Sequence, residues 1–231
     1  MKRFPEVIIF DVDGVLVDVR ESFHRSVLDT VRFFTGKRGS WRELYAWKSR
    51  PGFNDDWVTS HAWVRSLGGG QSFEEVKKKF QEIYWGTNFN GNVARERWML
   101  SKPLLRRLAA RAELDIFTGR TRQELHHTLH RLALRPFFRR IVTVEDVSKG
   151  KPDPEGLLTI LDGRHPSTAL YIGDNVDDAT AARRAAIPFL GMLLHRSHAR
   201  RHGRARLLEL GAIHVLGDIT LLEKWLQRGS R

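Results

Sequence analysis

The chain of 231 residues contains no cysteine. That absence excludes disulfide frameworks, thiolate zinc sites and cysteine nucleophiles, and it fits a reducing compartment. Long apolar runs are missing too. No stretch approaches the ~18 uncharged apolar residues of a membrane span, so no membrane partner is expected. The N-terminal MKRFPEVIIF has a positive start and a short apolar run, but two aspartates follow where a secretory signal would have its apolar core and cleavage site. We read a soluble, cytoplasmic protein. Acidic residues are in the minority, 27 Asp+Glu against 39 Lys+Arg, for a formal charge of +12. Such a balance favours polyanions or small anionic substrates. The densest basic run, His195–Arg206, holds no aromatic residue and so offers no base-stacking platform. Nucleic acid is therefore not the expected partner. With 41% hydrophobic and 29% charged residues the chain has ordinary globular composition, and its length predicts one full core plus something small.

What is present is an alternation. Short β-type runs at Val7–Phe10, Leu114–Phe117, Arg140–Val144, Ala169–Ile172, Phe189–Leu193 and Ala212–Val215 are separated by helical spacing at Pro103–Arg111, Arg122–Leu134, Pro154–Leu161, Val176–Ala186, Arg204–Leu210 and Leu221–Gln227. Strands alternating with helices predict βαβ crossovers, hence an α/β, Rossmann-like parallel sheet with helices on both faces. Between about Ser22 and Arg97 the rhythm breaks. Only helical patterns occur there (Ser22–Phe34, Asp55–Leu67, Ser72–Trp85), together with five tryptophans, at 41, 47, 57, 63 and 85. We expect a small all-helical domain over residues 19–97, inserted into a core formed by 1–18 and 98–231. A block inserted after the first strand of such a sheet belongs at the carboxyl ends of the strands, where open α/β folds bind ligands.

Four segments at predicted strand ends carry chemistry. Asp11-Val12-Asp13-Gly14-Val15-Leu16-Val17-Asp18 leaves two carboxylates one residue apart at the tip of the first strand. Like charges that close repel, and a hard cation bound by carboxylate oxygens is the simplest neutraliser. Gly173-Asp174-Asn175-Val176-Asp177-Asp178 follows a second strand and opens a helix, so Asp174 could share the cation with Asp11, and Asp178 lies about one turn further on. In Phe117-Thr118-Gly119-Arg120 a hydroxyl and backbone N–H groups near a helix start suit a phosphate oxygen, or the hydroxyl serves only as a cap. Lys149-Gly150-Lys151-Pro152-Asp153-Pro154 pins a lysine in a proline-bounded loop, where it could balance carboxylates and phosphate or simply lie exposed.

In this order the four segments resemble the motifs of the haloacid dehalogenase superfamily, and the block before Thr118 resembles the helical cap of its phosphoglycolate phosphatase-like branch. The resemblance implies a Mg²⁺-dependent phosphatase acting on a small phosphorylated metabolite. In that reading Asp11 is the nucleophile that forms an aspartyl-phosphate, and Asp13 is the general acid and base. Magnesium is held by Asp11, the backbone carbonyl of Asp13, and Asp174, with Asp178 as direct or water-mediated support. Thr118, the N–H of Gly119 and Lys151 hold the phosphoryl group, with Lys149 as the fallback for Lys151. An acid at position 13 argues against dehalogenation and phosphonate hydrolysis, which need no protonated alkoxide. A phosphosugar mutase of the β-phosphoglucomutase type keeps both aspartates and is the alternative. A non-catalytic binding protein of the same fold, drawn to nucleic acid by its basic surface, is the alternative from a different class. Substrate choice is expected from Arg120, which either contacts an extra anionic group or starts a helix at the surface, and from Lys48 and Asn54 in the stretch Trp47–Trp57. Monomer and homodimer are both left open.

Overall fold

The structure, a computed structural model, describes residues 3–48, 50, 52–53, 55–193 and 199–228. In chain order its strands and α-helices are β1 (Val7–Phe10), β2 (Val17–Asp18), α1 (Arg25–Thr35), α2 (Trp41–Lys48), α3 (Asp56–Ser66), α4 (Phe73–Trp85), β3 (Arg97–Trp98), α5 (Lys102–Ala109), β4 (Glu113–Phe117), α6 (Arg122–Arg131), β5 (Ile141–Val142), α7 (Glu155–Leu161), β6 (Ala169–Gly173), α8 (Val176–Arg184), β7 (Phe189–Met192), α9 (Ala199–Glu209), β8 (Ala212–Leu216) and α10 (Leu222–Arg228). The chain divides into two compact units, Met1–Val17 with Trp98–Arg231, and Asp18–Arg97. None of the described helices is long and apolar enough to cross a membrane.

The first unit is built on a six-stranded sheet in the order β5-β4-β1-β6-β7-β8, and every ladder is parallel. Burial on both faces is written into β1, whose Val7, Ile8, Ile9 and Phe10 are all fully buried. Val7 and Ile9 join Leu157, Ile160, Tyr171 and Phe189 in one apolar cluster, while Phe10 meets the ring of Phe138 edge-on at 6.4 Å. Each fully buried aliphatic side chain of this kind contributes roughly 1.5–3 kcal/mol.

Register fixes what lies beyond the strands. Phe10 pairs with Ile116 on one side and with Ile172 on the other, so β1, β4 and β6 end on nearly one line. Asp11, Thr118 and Asp174 all fall within two residues past it. Strand order reverses at β1, because β4 and β5 extend to one side and β6, β7 and β8 to the other. That reversal is the switch point at which open α/β sheets leave a crevice for ligands.

The second unit is helical. A π-helical turn at Arg20–His24 leads into α1, and α2, α3 and α4 follow. The cap signals are local: Asp55 accepts the N–H groups of Trp57 and Val58, and Ser72 and Glu75 form a reciprocal capping box. Phe23 stacks on Tyr84 with ring centroids 4.3 Å apart, and the Tyr84 hydroxyl donates to Glu96 Oε1 at 2.9 Å. Of the unit's five tryptophans only Trp63 is buried, so most of them are not ordinary core. Helix α2 falls outside the helical patterns read from the sequence and takes in the start of the stretch Trp47–Trp57. Trp47 and Lys48 close a helix capped by Ser40 and Glu43.

Candidate active site

Asp11 leaves β1 still hydrogen-bonded to the sheet, its N–H donating to the carbonyl of Ile172 at 2.8 Å. Three residues on, Gly14 turns the chain with φ of 73°. A Cβ there would fall 2.0 Å from Asp174 Oδ2, so the turn needs glycine for both its backbone conformation and the approach of Asp174. Gly14→Ala is expected to unfold the protein at markedly lower denaturant and to lower activity. Equilibrium unfolding and turnover of the same preparation check this, and a variant of unchanged stability would contradict the packing described here.

Carboxylate oxygens of Asp11, Asp174 and Asp178 lie within 4.8 Å of one another. Lys151 reaches into this group, with Nζ 2.8 Å from Asp11 Oδ1 and 2.7 Å from Asp178 Oδ1. Lys149 is exposed, so of the two candidate lysines it is Lys151 that reaches the acids. The rings of Phe117 and Tyr171 flank the ammonium at 5.0 and 5.6 Å. Asp178 is fully buried and answered from every side. Its Oδ1 accepts from Lys151 and from the Tyr171 hydroxyl at 2.6 Å, and its Oδ2 accepts the N–H groups of Asp174 and Asn175. These bonds tie Asp178 to Lys151 and to the turn that carries Asp174, and its carboxylate remains within reach of a cation shared with Asp11 and Asp174.

The electrostatics follow from burial. Burial pushes the Asp11 carboxyl up to about 7, with Asp178 and Asp13 adding to the rise and Lys151 opposing it. Burial also holds Asp174 well above the usual carboxylate range, reinforced by Asp178 and Asp11. For Lys151, burial works against the charge, but Asp11 and Asp178 outweigh it and hold the ammonium above its ordinary value. One lysine does not satisfy three clustered acids. The remaining charge and the all-oxygen donor set fit a hard divalent cation.

Thr118 is buried at the end of β4, and its Oγ accepts the N–H of Arg120 at 3.1 Å, which leaves its own O–H to donate. Gly119 follows directly, ahead of α6, whose N-cap is Thr121 rather than Thr118. The cap-only reading of Thr118 therefore fails.

Arg120 departs from the surface reading: only 2% exposed, it pairs with Asp13. Lys48, the second specificity candidate, is held by Asp56 at 2.8 Å within the helical unit, and Asn54 lies outside the described residues. The basic run His195–Arg206 lies largely outside the residues whose side chains are described. Sequence reasoning missed Tyr171 and Thr128, which bond Asp178 and Arg120 respectively. Tyr171 shares a strand face with Gly173 and could have been found by period-two counting, whereas no local signal marks Thr128.

A parallel sheet with acids, a hydroxyl and a lysine gathered at its carboxyl edge is a Rossmann-like α/β scaffold whose acidic group could hold a metal ion. Residues 8–192 match the family model described as haloacid dehalogenase-like hydrolase. The chain belongs to that family. It is 30% identical over 204 residues to an imidazoleglycerol-phosphate dehydratase of Phytophthora nicotianae, covering 84% of this chain and 45% of that protein, so it spans under half the length of this relative. A phosphoglycolate phosphatase of Pseudomonas putida is 24% identical, with 85% of this chain and 72% of the relative covered. Among solved structures, a putative β-phosphoglucomutase from Thermotoga maritima superposes with a TM-score of 0.70 at 23% identity, covering 96% of this chain and 99% of that one. That likeness shows the fold.

Proposed function

We propose that the protein is a Mg²⁺-dependent phosphatase that hydrolyses a small phosphate monoester through an aspartyl-phosphate on Asp11. The observation that carries this reading is the buried set of Asp11, Asp174 and Asp178 oxygens within 4.8 Å of one another, with Lys151 bonded to Asp11. Asp11 and Asp174, with the backbone carbonyl of Asp13, would hold the cation. When bound, it lets an anionic nucleophile meet an anionic ester and takes up charge as the phosphoryl group transfers.

The chain's own groups do the rest. A carboxylate oxygen of Asp11 attacks phosphorus in line, the bond to the alcohol oxygen breaks, and Asp13 gives that oxygen its proton. Water then attacks the aspartyl-phosphate, passes a proton back to Asp13, and the bond between phosphorus and Asp11 breaks to return the free carboxylate and inorganic phosphate. The Thr118 hydroxyl, the Gly119 N–H and the Lys151 ammonium hold the phosphoryl oxygens. The helical unit of residues 18–97 is proposed as the cap that selects the ester.

Phosphoglycolate heads the substrate panel because a relative carries that name, followed by sugar phosphates, nucleotides and histidinol phosphate. Release of inorganic phosphate from at least one of these, abolished by EDTA and restored by Mg²⁺, is the expected result. Isomerised sugar phosphate without phosphate release would instead show a mutase. No turnover on any member, with salt-sensitive retention on nucleic acid, would leave the non-catalytic alternative.

A further inference from the structure

Arg120 is among the largest fully buried side chains of the protein, and a guanidinium inside a fold has to be matched by acceptors. Its Nε and Nη2 donate to the same oxygen, Oδ1 of Asp13, at 2.8 and 2.6 Å. On its other side Nη1 donates to Thr128 Oγ1 at 3.0 Å, and that hydroxyl in turn donates to the carbonyl of Glu124. Its backbone N–H donates to Thr118 Oγ1, and its carbonyl accepts the N–H of Val144. One residue therefore ties the acid of the first motif to the hydroxyl of the second and to the body of α6. The tie spans 107 positions of sequence.

Asp13 itself is far more open, with a side-chain exposure of 36% against 1% for Arg120. An acid at the mouth of a site would otherwise sample several rotamers, and general acid catalysis needs its oxygen within hydrogen-bond reach of the leaving group. The planar fork of arginine restricts both the position and the plane of the carboxylate, which a single ammonium would not do. Both donors fall on Oδ1, so the carboxyl is gripped by two charge-assisted bonds from one side.

We propose that Arg120 is a positioning residue for the general acid: it clamps the Asp13 carboxyl by Oδ1 and so fixes where that carboxyl meets the leaving oxygen of the ester. The proposal rests on the phosphatase reading, in which Asp13 protonates the leaving alcohol. Thr128 is the outer anchor that keeps the guanidinium aimed.

The test compares kcat/KM, which reports steps through phosphoryl transfer to Asp11, for two esters. An alkyl phosphate needs its leaving oxygen protonated, whereas p-nitrophenyl phosphate does not. Arg120→Ala is expected to lower kcat/KM on the alkyl ester by about 10²-fold, within the range contributed by a positioned acid. Only a few-fold loss is expected on the aryl ester. Arg120→Lys should recover part of the difference, and Thr128→Val should shift the alkyl-to-aryl ratio the same way by less. In an Asp13→Asn background, Arg120→Ala should cost nothing further, since it acts through that side chain. Equal losses on both esters, or losses that add to those of Asp13→Asn, would overturn the proposal. Should Arg120→Ala not fold, Arg120→Lys and Thr128→Val still decide it through the same ratio. The two readings fail separately. If Asp13→Asn itself leaves the ratio untouched, the acid assignment falls. If Asp13→Asn shifts the ratio and the Arg120 variants do not, only the clamp falls.

Discussion

Asp11→Asn is expected to end turnover, by ~10⁴-fold or more for loss of a nucleophile, and at the same time to make the metal-free protein more stable above neutral pH. The two effects come from one cause. The folded protein holds the Asp11 carboxyl at about 7, against an ordinary value of 3.8. Below the ordinary value both folded and unfolded chains carry the proton, and the group contributes no pH dependence. Between the two values the folded chain keeps a proton that the unfolded chain has released, so stability falls as pH rises. Above about 7 the full cost is present, at most about 4 kcal/mol by linkage. Asparagine keeps the shape and removes the charge, and so removes that cost. Thermal melting of both proteins at about pH 5 and pH 8, with EDTA, checks the sign: the variant's advantage should be confined to the higher pH. Added Mg²⁺ should raise the melting temperature of the wild type and leave the variant unmoved. A variant less stable than wild type at pH 8 would mean that the pairing with Lys151 outweighs the burial cost.

Lys151→Met is the complementary case and should lose stability instead. The ammonium is shared between Asp11 and Asp178, both buried, and its removal leaves them facing each other and Asp174. Breaking a buried pair from one side costs about 3–5 kcal/mol, because the partner's charge is left uncompensated. Activity should also collapse, since the phosphoryl group loses its cation from the chain. The pH dependence has a defined sign. With lysine gone, Asp11 and Asp174 hold protons to still higher pH, so the deficit against wild type should shrink toward pH 5 as they neutralise. Denaturant unfolding at both pH values measures this. A deficit independent of pH would point to lost packing against Phe117 and Tyr171 instead of lost charge.

The sheet and its reacting edge were legible because their signals are local and repeated. Each of the six core strands is a short, mostly apolar run, and four of the strand ends or loops carry polar residues that do not belong to an apolar core: Asp11 and Asp13, Thr118, Lys151, Asp174 and Asp178. Helix α2 was not legible by periodicity, since Leu44 is its single buried residue. The Ser40 to Glu43 spacing was there to be read, and a search for capping pairs rather than apolar stripes would have found it. Arg120 could not be placed from sequence at all. An arginine just before a helix reads as solvated, and its partner Asp13 lies in another segment that only the pairing of β1 with β4 brings near. Residue type was visible; pairing across the sheet was not.

Tyr171 lies fully buried against Asp178, and burial, with that carboxylate beside it, holds its phenol well above its ordinary range. Its proton is thus a fixed part of the architecture at neutral pH. Together with the Lys151 ammonium, held above its ordinary value, it keeps the donors to Asp178 protonated at neutral pH. A limb in the rate profile near neutral pH is therefore expected from the Asp11 carboxyl or from the ester, not from these two donors.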